Sequence, residues 1–145
     1  LSLLATDAGI AALLMRARRI ALVGASDRPE RAAFGVMRFL LARGAEVVPV
    51  NPMLAGRQLL GRTVIGSLAE VGGEIDMVDV FRRAEAVPEI VEAAIAAGAR
   101  AIWLQLGVVH EAAAARAAAA GLEVVMDRCP VIEVRRLALP PLPPA

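Results

Sequence analysis

The 145-residue chain has sixteen basic residues, all arginine, against fifteen acidic ones, for a formal net charge of +1. That balance offers nucleic acid no general basic field, and three phenylalanines and one tryptophan are too few for a base-stacking surface. A single cysteine excludes an internal disulfide framework, a single histidine argues against a zinc site of the usual composition, and no apolar run approaches the roughly 18 residues of a membrane span.

The N-terminal LSLLATDAGIAALLMRARR puts an apolar stripe before its arginines, the reverse of a secretory signal. It is read as an amphipathic helix over 1–18 of a cytoplasmic protein. RIALVG (19–24) is the first short apolar run, followed by a helical pattern at 31–43 and by EVVPV (46–50). Beyond a long polar segment, SLAE (67–70) has Ser and Glu at capping-box spacing for a brief helix. IDMVDVF (75–81), a helix at 84–97, AIWLQLG (101–107), a helix at 109–120 and LEVVM (122–126) complete the alternation. The three longer helices run into Gly44, Gly98 and Gly121, where a left-handed residue ends a helix. Residues 1–137 read as one domain, and the proline-rich tail 138–145 is expected to be extended and loose.

The five apolar runs show little polar alternation, as parallel strands covered on both faces do. Their order predicts an α/β fold: a doubly wound, mainly parallel sheet of about five strands with helices on both faces. Ligands of such sheets bind beyond the carboxyl ends of the strands, which directs attention to the loops there.

ALVGASDRPERAAFGVM (21–37) departs from the G-x-G-x-x-G fingerprint, with Ser26 and Pro29 where the second and third glycines would fall. Asn51 stands where an acidic residue would hold a nicotinamide ribose, so NAD is disfavoured twice, and no Gly-Lys-Ser/Thr exists for a P-loop. The parts of an anion site are nevertheless present. Gly24 allows close approach, Ser26 offers a hydroxyl, the next helix points N–H groups at the loop, and Arg28 and Arg31 add charge. The plainer alternative is a tight turn with solvated arginines. NPMLAGRQLLGR (51–62) exceeds the roughly two to six residues usual for such a connection. Its Arg57 and Arg62, beside Gly56 and Gly61, either clamp a second phosphate or decorate a solvated flap.

Phe81 either stacks on a flat ring or fills the core. Arg82 and Arg83 open a helix, an unfavourable end for cations, which hints at a bound anion or a carboxylate partner. Cys129 is by default a buried inert thiol, with Arg128 able to lower its pKa if the side chains meet. His110 is read as a surface or capping residue, and Asp76, Asp79 and Asp127 form no catalytic set that spacing alone establishes. No catalytic residue and no metal ligand is assigned.

GASDRPER (24–31), VNPMLAGRQLLG (50–61), VDVFRRAEAVPEI (78–90), WLQLGVVHEAA (103–113) and VVMDRCPVIE (124–133) closely resemble the small stand-alone CoA-binding domain proteins. Those proteins look like the isolated N-terminal domain of the succinyl-CoA synthetase α subunit and of ADP-forming acyl-CoA synthetases. The resemblance covers about residues 10 to 137 and implies a Rossmann-like fold that binds coenzyme A. It implies a diphosphate near Gly24, Ala25 and Ser26, and a nucleotide along Asn51, Pro52 and a basic residue. Relatives often carry lysine where this chain has Met53, and Lys or Arg where it has Arg57. Phe81, Arg82 and the stretch Gln105 to Gly107 match the other strand ends near the ligand. The synthetases' phosphohistidine lies in a second domain, so that role does not pass to His110.

The resulting expectation is a non-catalytic module that senses or carries CoA or acyl-CoA, with no nucleic-acid or membrane partner. No activity is expected of the chain alone, and the expected protein partners are a partner enzyme or further copies in a homo-oligomer. The alternative is a subunit of an acyl-CoA ligase completed in trans by ATP-grasp and phosphohistidine domains. A third expectation makes Cys129 a redox thiol that forms a mixed disulfide with CoA.

Overall fold

The computed structural model describes residues 3–144, so residues 1, 2 and 145 of the expected helix and tail lie outside the described residues. In chain order the elements are α1 (Asp7–Arg16), β1 (Arg19–Val23), α2 (Ala32–Ala42), β2 (Glu46–Val50), β3 (Gln58–Leu59), β4 (Arg62–Thr63) and β5 (Met77–Val80). Then follow α3 (Val87–Ala96), β6 (Ala101–Leu104), α4 (Glu111–Ala119), β7 (Glu123–Val125) and α5 (Pro130–Arg136). Five strands form one sheet in the order β2-β1-β5-β6-β7, every pair parallel, and β3 and β4 form a separate antiparallel hairpin.

Strand alternation sorts the apolar residues into two cores. Leu22, Met77 and Trp103 face α1, α2 and α5, while Ala21, Val78 and Ile102 face α3 and α4. Covering on both sides explains why β5 and β6 are buried along their whole length. Helices α2, α3 and α4 run into Gly44, Gly98 and Gly121 at positive φ, as expected.

Five features differ from the sequence expectation. Helix α1 begins only at Asp7, because the Thr6 hydroxyl accepts the Gly9 N–H at 3.2 Å. The chain before it runs along the sheet edge, where the Leu4 N–H donates to the Val124 carbonyl at 2.7 Å. The segment 51–62 is a folded flap. Its hairpin turns at Leu60 and Gly61, both at positive φ, as a two-residue turn between right-twisted strands requires. Ile65 then bridges to the edge strand β2, its N–H donating to the Pro49 carbonyl at 2.8 Å.

Helix α5 was not foreseen, although Pro130 at its first turn and Arg135 and Arg136 in its last are ordinary helix-end signals. The tail is extended but anchored rather than loose. Leu142 is buried and donates its N–H to the Arg43 carbonyl at 2.9 Å, and the Arg43 guanidinium donates to the carbonyls of Leu14 and Pro140. SLAE forms a single 3-10 turn, Leu68–Glu70, in which the Ser67 hydroxyl donates to the Glu70 carboxylate at 2.9 Å instead of capping the backbone.

Candidate functional site

The sheet order places β5 beside β1, yet α2 leaves β1 toward one face and α3 leaves β5 toward the other. The loops after these two strands therefore part, and a crevice opens between them at the carboxyl ends. Gly24 sits at this fork with φ +90°, and a Cβ there would lie 2.4 Å from the Phe81 carbonyl oxygen. No side chain fits, so glycine sets how closely the two loops approach.

Two clefts share the fork. One, of about 440 Å³, is walled by Ser26, Asp27, Arg28 and Arg31, the first turn of α2, Leu54, Phe81 and Arg82. The other, of about 580 Å³, is walled chiefly by the apolar side chains of Val23, Val50, Pro52, Leu68, Ile90 and Ala93, with Ser67, Arg82 and Glu89 also lining it. Gly24, Asn51, Met53 and Arg82 line both.

The cationic cleft draws its donors from fewer groups than the loop sequence suggests. The N–H groups of Gly24 and Ala25 both donate to the Val50 carbonyl, at 3.0 and 3.3 Å. They shape the loop and are directed away from a ligand. The Arg28 N–H closes a short turn onto the Ser26 hydroxyl at 3.1 Å. Among the described residues the chain gives no acceptor to the first N–H groups of α2, those of Ala32 and Ala33, and Arg31 makes no side-chain cap over them. These donors face the cleft beside Arg28, Arg31 and Arg82, a combination suited to an anion.

Asn51 explains its own identity. Its amide nitrogen donates to the Ala25 carbonyl at 2.8 Å and its oxygen accepts the Met53 N–H at 2.8 Å. One side chain thus braces the first loop against the second, which a carboxylate, having no donor, could not do. Pro52 opens the 3-10 turn Pro52–Leu54, which holds Met53 at the junction of the clefts, 86% exposed.

The arginines separate in space. Arg57 faces the first loop, its Nη1 lying 3.6 Å from Asp27 Oδ2. Arg62 instead lines a different groove with Arg19 and Glu46. Arg82 enters the clefts, whereas Arg83 is exposed and paired with Glu85 at 3.8 Å. Phe81 combines both of its readings: it packs on the core and also walls the cationic cleft.

Gln105 and Gly107 are not brought into either cleft. Gln105 is buried with its Oε1 unpartnered, and the Gly107 N–H donates to Asp127 at 2.8 Å, one strand away from Phe81. Cys129 is buried and precedes α5. The guanidinium of its neighbour Arg128 is engaged with Glu133 at 3.0 Å, so its charge is already matched. His110 caps α4, its Nδ1 accepting the Ala113 N–H at 3.0 Å.

The acids stay apart. Asp76 accepts the backbone N–H groups of Arg18 and Arg19, at 3.1 and 2.8 Å, and so fixes the entry to β1. Asp79 is fully buried between Leu22 and Trp103 with neither carboxyl oxygen hydrogen-bonded, and burial pushes its pKa well above the ordinary carboxylate value. Among the described residues no group of acids, histidines and cysteine is placed to hold a metal, and no helix is long and apolar enough to cross a membrane. Asp27, Leu68, Glu89, Ile90 and Ala93 were not anticipated as cleft residues. Asp27 alone carried a signal, its place in the first loop.

Comparison with known proteins identifies the family and the fold. The family profile described as "CoA binding domain" matches residues 18–135. The protein YneT of Bacillus subtilis (strain 168) is 40% identical over 124 residues, 86% of this chain and 90% of that one. A solved protein from Pyrococcus horikoshii OT3 superposes with a TM-score of 0.88 at 40% identity, over 92% of this chain and 93% of that one. A dinucleotide-forming acetyl-coenzyme A synthetase of Ca. Korarchaeum cryptofilum shares the fold, with a TM-score of 0.67 at 23% identity. There the match covers 77% of this chain but only 26% of the synthetase. With the profile spanning most of its length and such relatives beside it, the chain belongs to the CoA-binding domain family.

Proposed function

We propose that the chain binds coenzyme A, free or acylated, across the two clefts and performs no chemistry on it. The observation that carries this reading is the pairing of a cationic cleft with an apolar one over a single fork in the sheet. The diphosphate lies against the N–H groups of Ala32 and Ala33, the Ser26 hydroxyl, Arg28 and Arg31. The adenosine enters the apolar cleft beside Leu68, Ile90 and Ala93, and Arg57 serves its 3′-phosphate. The pantetheine leaves past Phe81 and Arg82 toward Gln105 and Gly107. Among the described residues, Asp27 and Glu89 are the only acids lining the clefts, and no histidine, cysteine or lysine lines them to act as base or nucleophile. Binding therefore serves sensing or presentation to another protein.

Calorimetric titration with CoA, acetyl-CoA and NAD tests the reading. CoA is expected to bind more tightly than NAD, because Asn51, not an acid, follows β2 where a ribose diol would be held, and its amide is committed at both ends. Arg31→Ala is expected to weaken CoA binding about tenfold, the loss of one charge-assisted contact. Tighter binding of NAD, or an unchanged affinity in the variant, would overturn it.

A further inference from the structure

Besides the Asn51 bridge, the first and second loops meet in an ion pair whose acid is not among the expected ligand-binding residues. Asp27 walls the cationic cleft, and Arg57 reaches it from the flap with 3.6 Å between Nη1 and Oδ2. That distance is too long for a hydrogen bond, and the side chains are 68% and 52% exposed, so the contact is coulombic and easily exchanged. Arg62, the flap's other cation, belongs to a separate groove, and Met53 at the cleft junction carries no charge. Arg57 lines neither cleft itself, but its pair with Asp27 holds it beside the cationic one, where it is the flap cation that a phosphate at the cleft mouth can recruit.

We propose that Asp27 sets how strongly the site discriminates a phosphorylated ribose, by competing with the ligand's 3′-phosphate for Arg57. This rests on the CoA reading above. The Asp27 carboxylate takes the place on the guanidinium that a ligand phosphate would take. A phosphate monoester is the stronger partner, with a charge of about −1.5 to −2 at neutral pH and three acceptor oxygens against one charge and two oxygens. Ligand binding exchanges one pair for the other and releases the carboxylate to water. The preference for CoA over 3′-dephospho-CoA is therefore created by Arg57 and reduced by Asp27. Both side chains are exposed, so their substitution leaves the fold intact.

The test is calorimetric titration of the wild type, Asp27→Asn, Arg57→Gln and the double variant with CoA and with 3′-dephospho-CoA. Arg57→Gln is expected to lower CoA affinity about tenfold and to change 3′-dephospho-CoA affinity less than about twofold, removing the preference. Asp27→Asn is expected to widen the preference by about two- to fivefold, the worth of an exposed ion pair. In the Arg57→Gln background the same change should leave the preference where it is. Equal tightening of both ligands by Asp27→Asn would overturn the proposal, as would a preference that survives Arg57→Gln. Failure of the wild type to bind either ligand would overturn the CoA reading itself, and the proposal with it.

Discussion

At the residue scale Asp79 is a costly side chain to bury. It occupies the middle of the central strand β5 with both oxygens unpartnered, so its folded form keeps a proton that the unfolded chain gives up at ordinary carboxylate pH. The sign follows from that difference. Above about pH 4 the unfolded state binds fewer protons than the folded state, and stability falls as pH rises toward the raised folded pKa. One proton corresponds to a slope of about 1.4 kcal/mol per pH unit. Asp79→Asn is expected to flatten that slope, so that its advantage over the wild type grows from pH 5 to pH 8. Urea denaturation across that range checks it, and parallel slopes would show that Asp79 is not the titrating group. The acid is visible in the sequence as a charge inside MVDV. Its lack of a partner is not, because that depends on Leu22 and Trp103 from two other strands.

At the element scale, the short helix α5 is held by charge rather than by length. Glu133 is buried and accepts from Arg136 at 2.8 Å and from Arg128 at 3.0 Å, and Arg136 also reaches Asp7 of α1 at 2.8 Å. The hydrogen bond from Arg136, with the charges of both arginines, holds the Glu133 carboxyl below its usual pKa despite burial. Its contribution is present above the ordinary carboxylate pKa and is lost as pH falls through the lowered folded value. Glu133→Gln is expected to cost about 1–3 kcal/mol at pH 7 and to weaken the acid-side loss of stability, as read from urea denaturation at pH 7 and pH 4. An unchanged acid limb would refute the assignment. Seven residues give too little periodicity to mark this helix in the sequence, and its anchor in α1 is more than a hundred positions away. The flap hairpin escapes notice for a related reason. Its turn is Leu60-Gly61, which lacks the Asn or Asp that usually announces two successive positive φ values.

At the scale of the whole molecule, the site follows from topology. Parallel strands covered on both faces write unbroken apolar runs into the sequence, so the sheet, its parallel sense and the ligand end are legible before any coordinates. The cationic wall is legible too, since Ser26, Arg28 and Arg31 stand in a loop with no core role. The apolar wall is not. Leu68, Ile90 and Ala93 belong to helical segments whose apolar residues look alike whether they face the core or the cleft. Gln105 and Gly107 pose the opposite case, strand-end residues that the fold leaves one strand away from both clefts.

The position of those two residues yields a footprint that separates the parts of the ligand. ADP carries the adenosine and diphosphate without the pantetheine or the 3′-phosphate, so it should occupy only the clefts. Hydrogen exchange measured with ADP is expected to slow across 24–33 and 51–57, where the two loops meet through Asn51. CoA is expected to slow those segments and also 105–107, whose Gly107 N–H is held by Asp127 on an otherwise exposed loop. Identical footprints for the two ligands would mean that the pantetheine runs into solvent instead of crossing the strand ends. In that case an acyl group would be presented outward, available to whatever protein receives it, while Gln105 keeps a purely structural place at the end of β6.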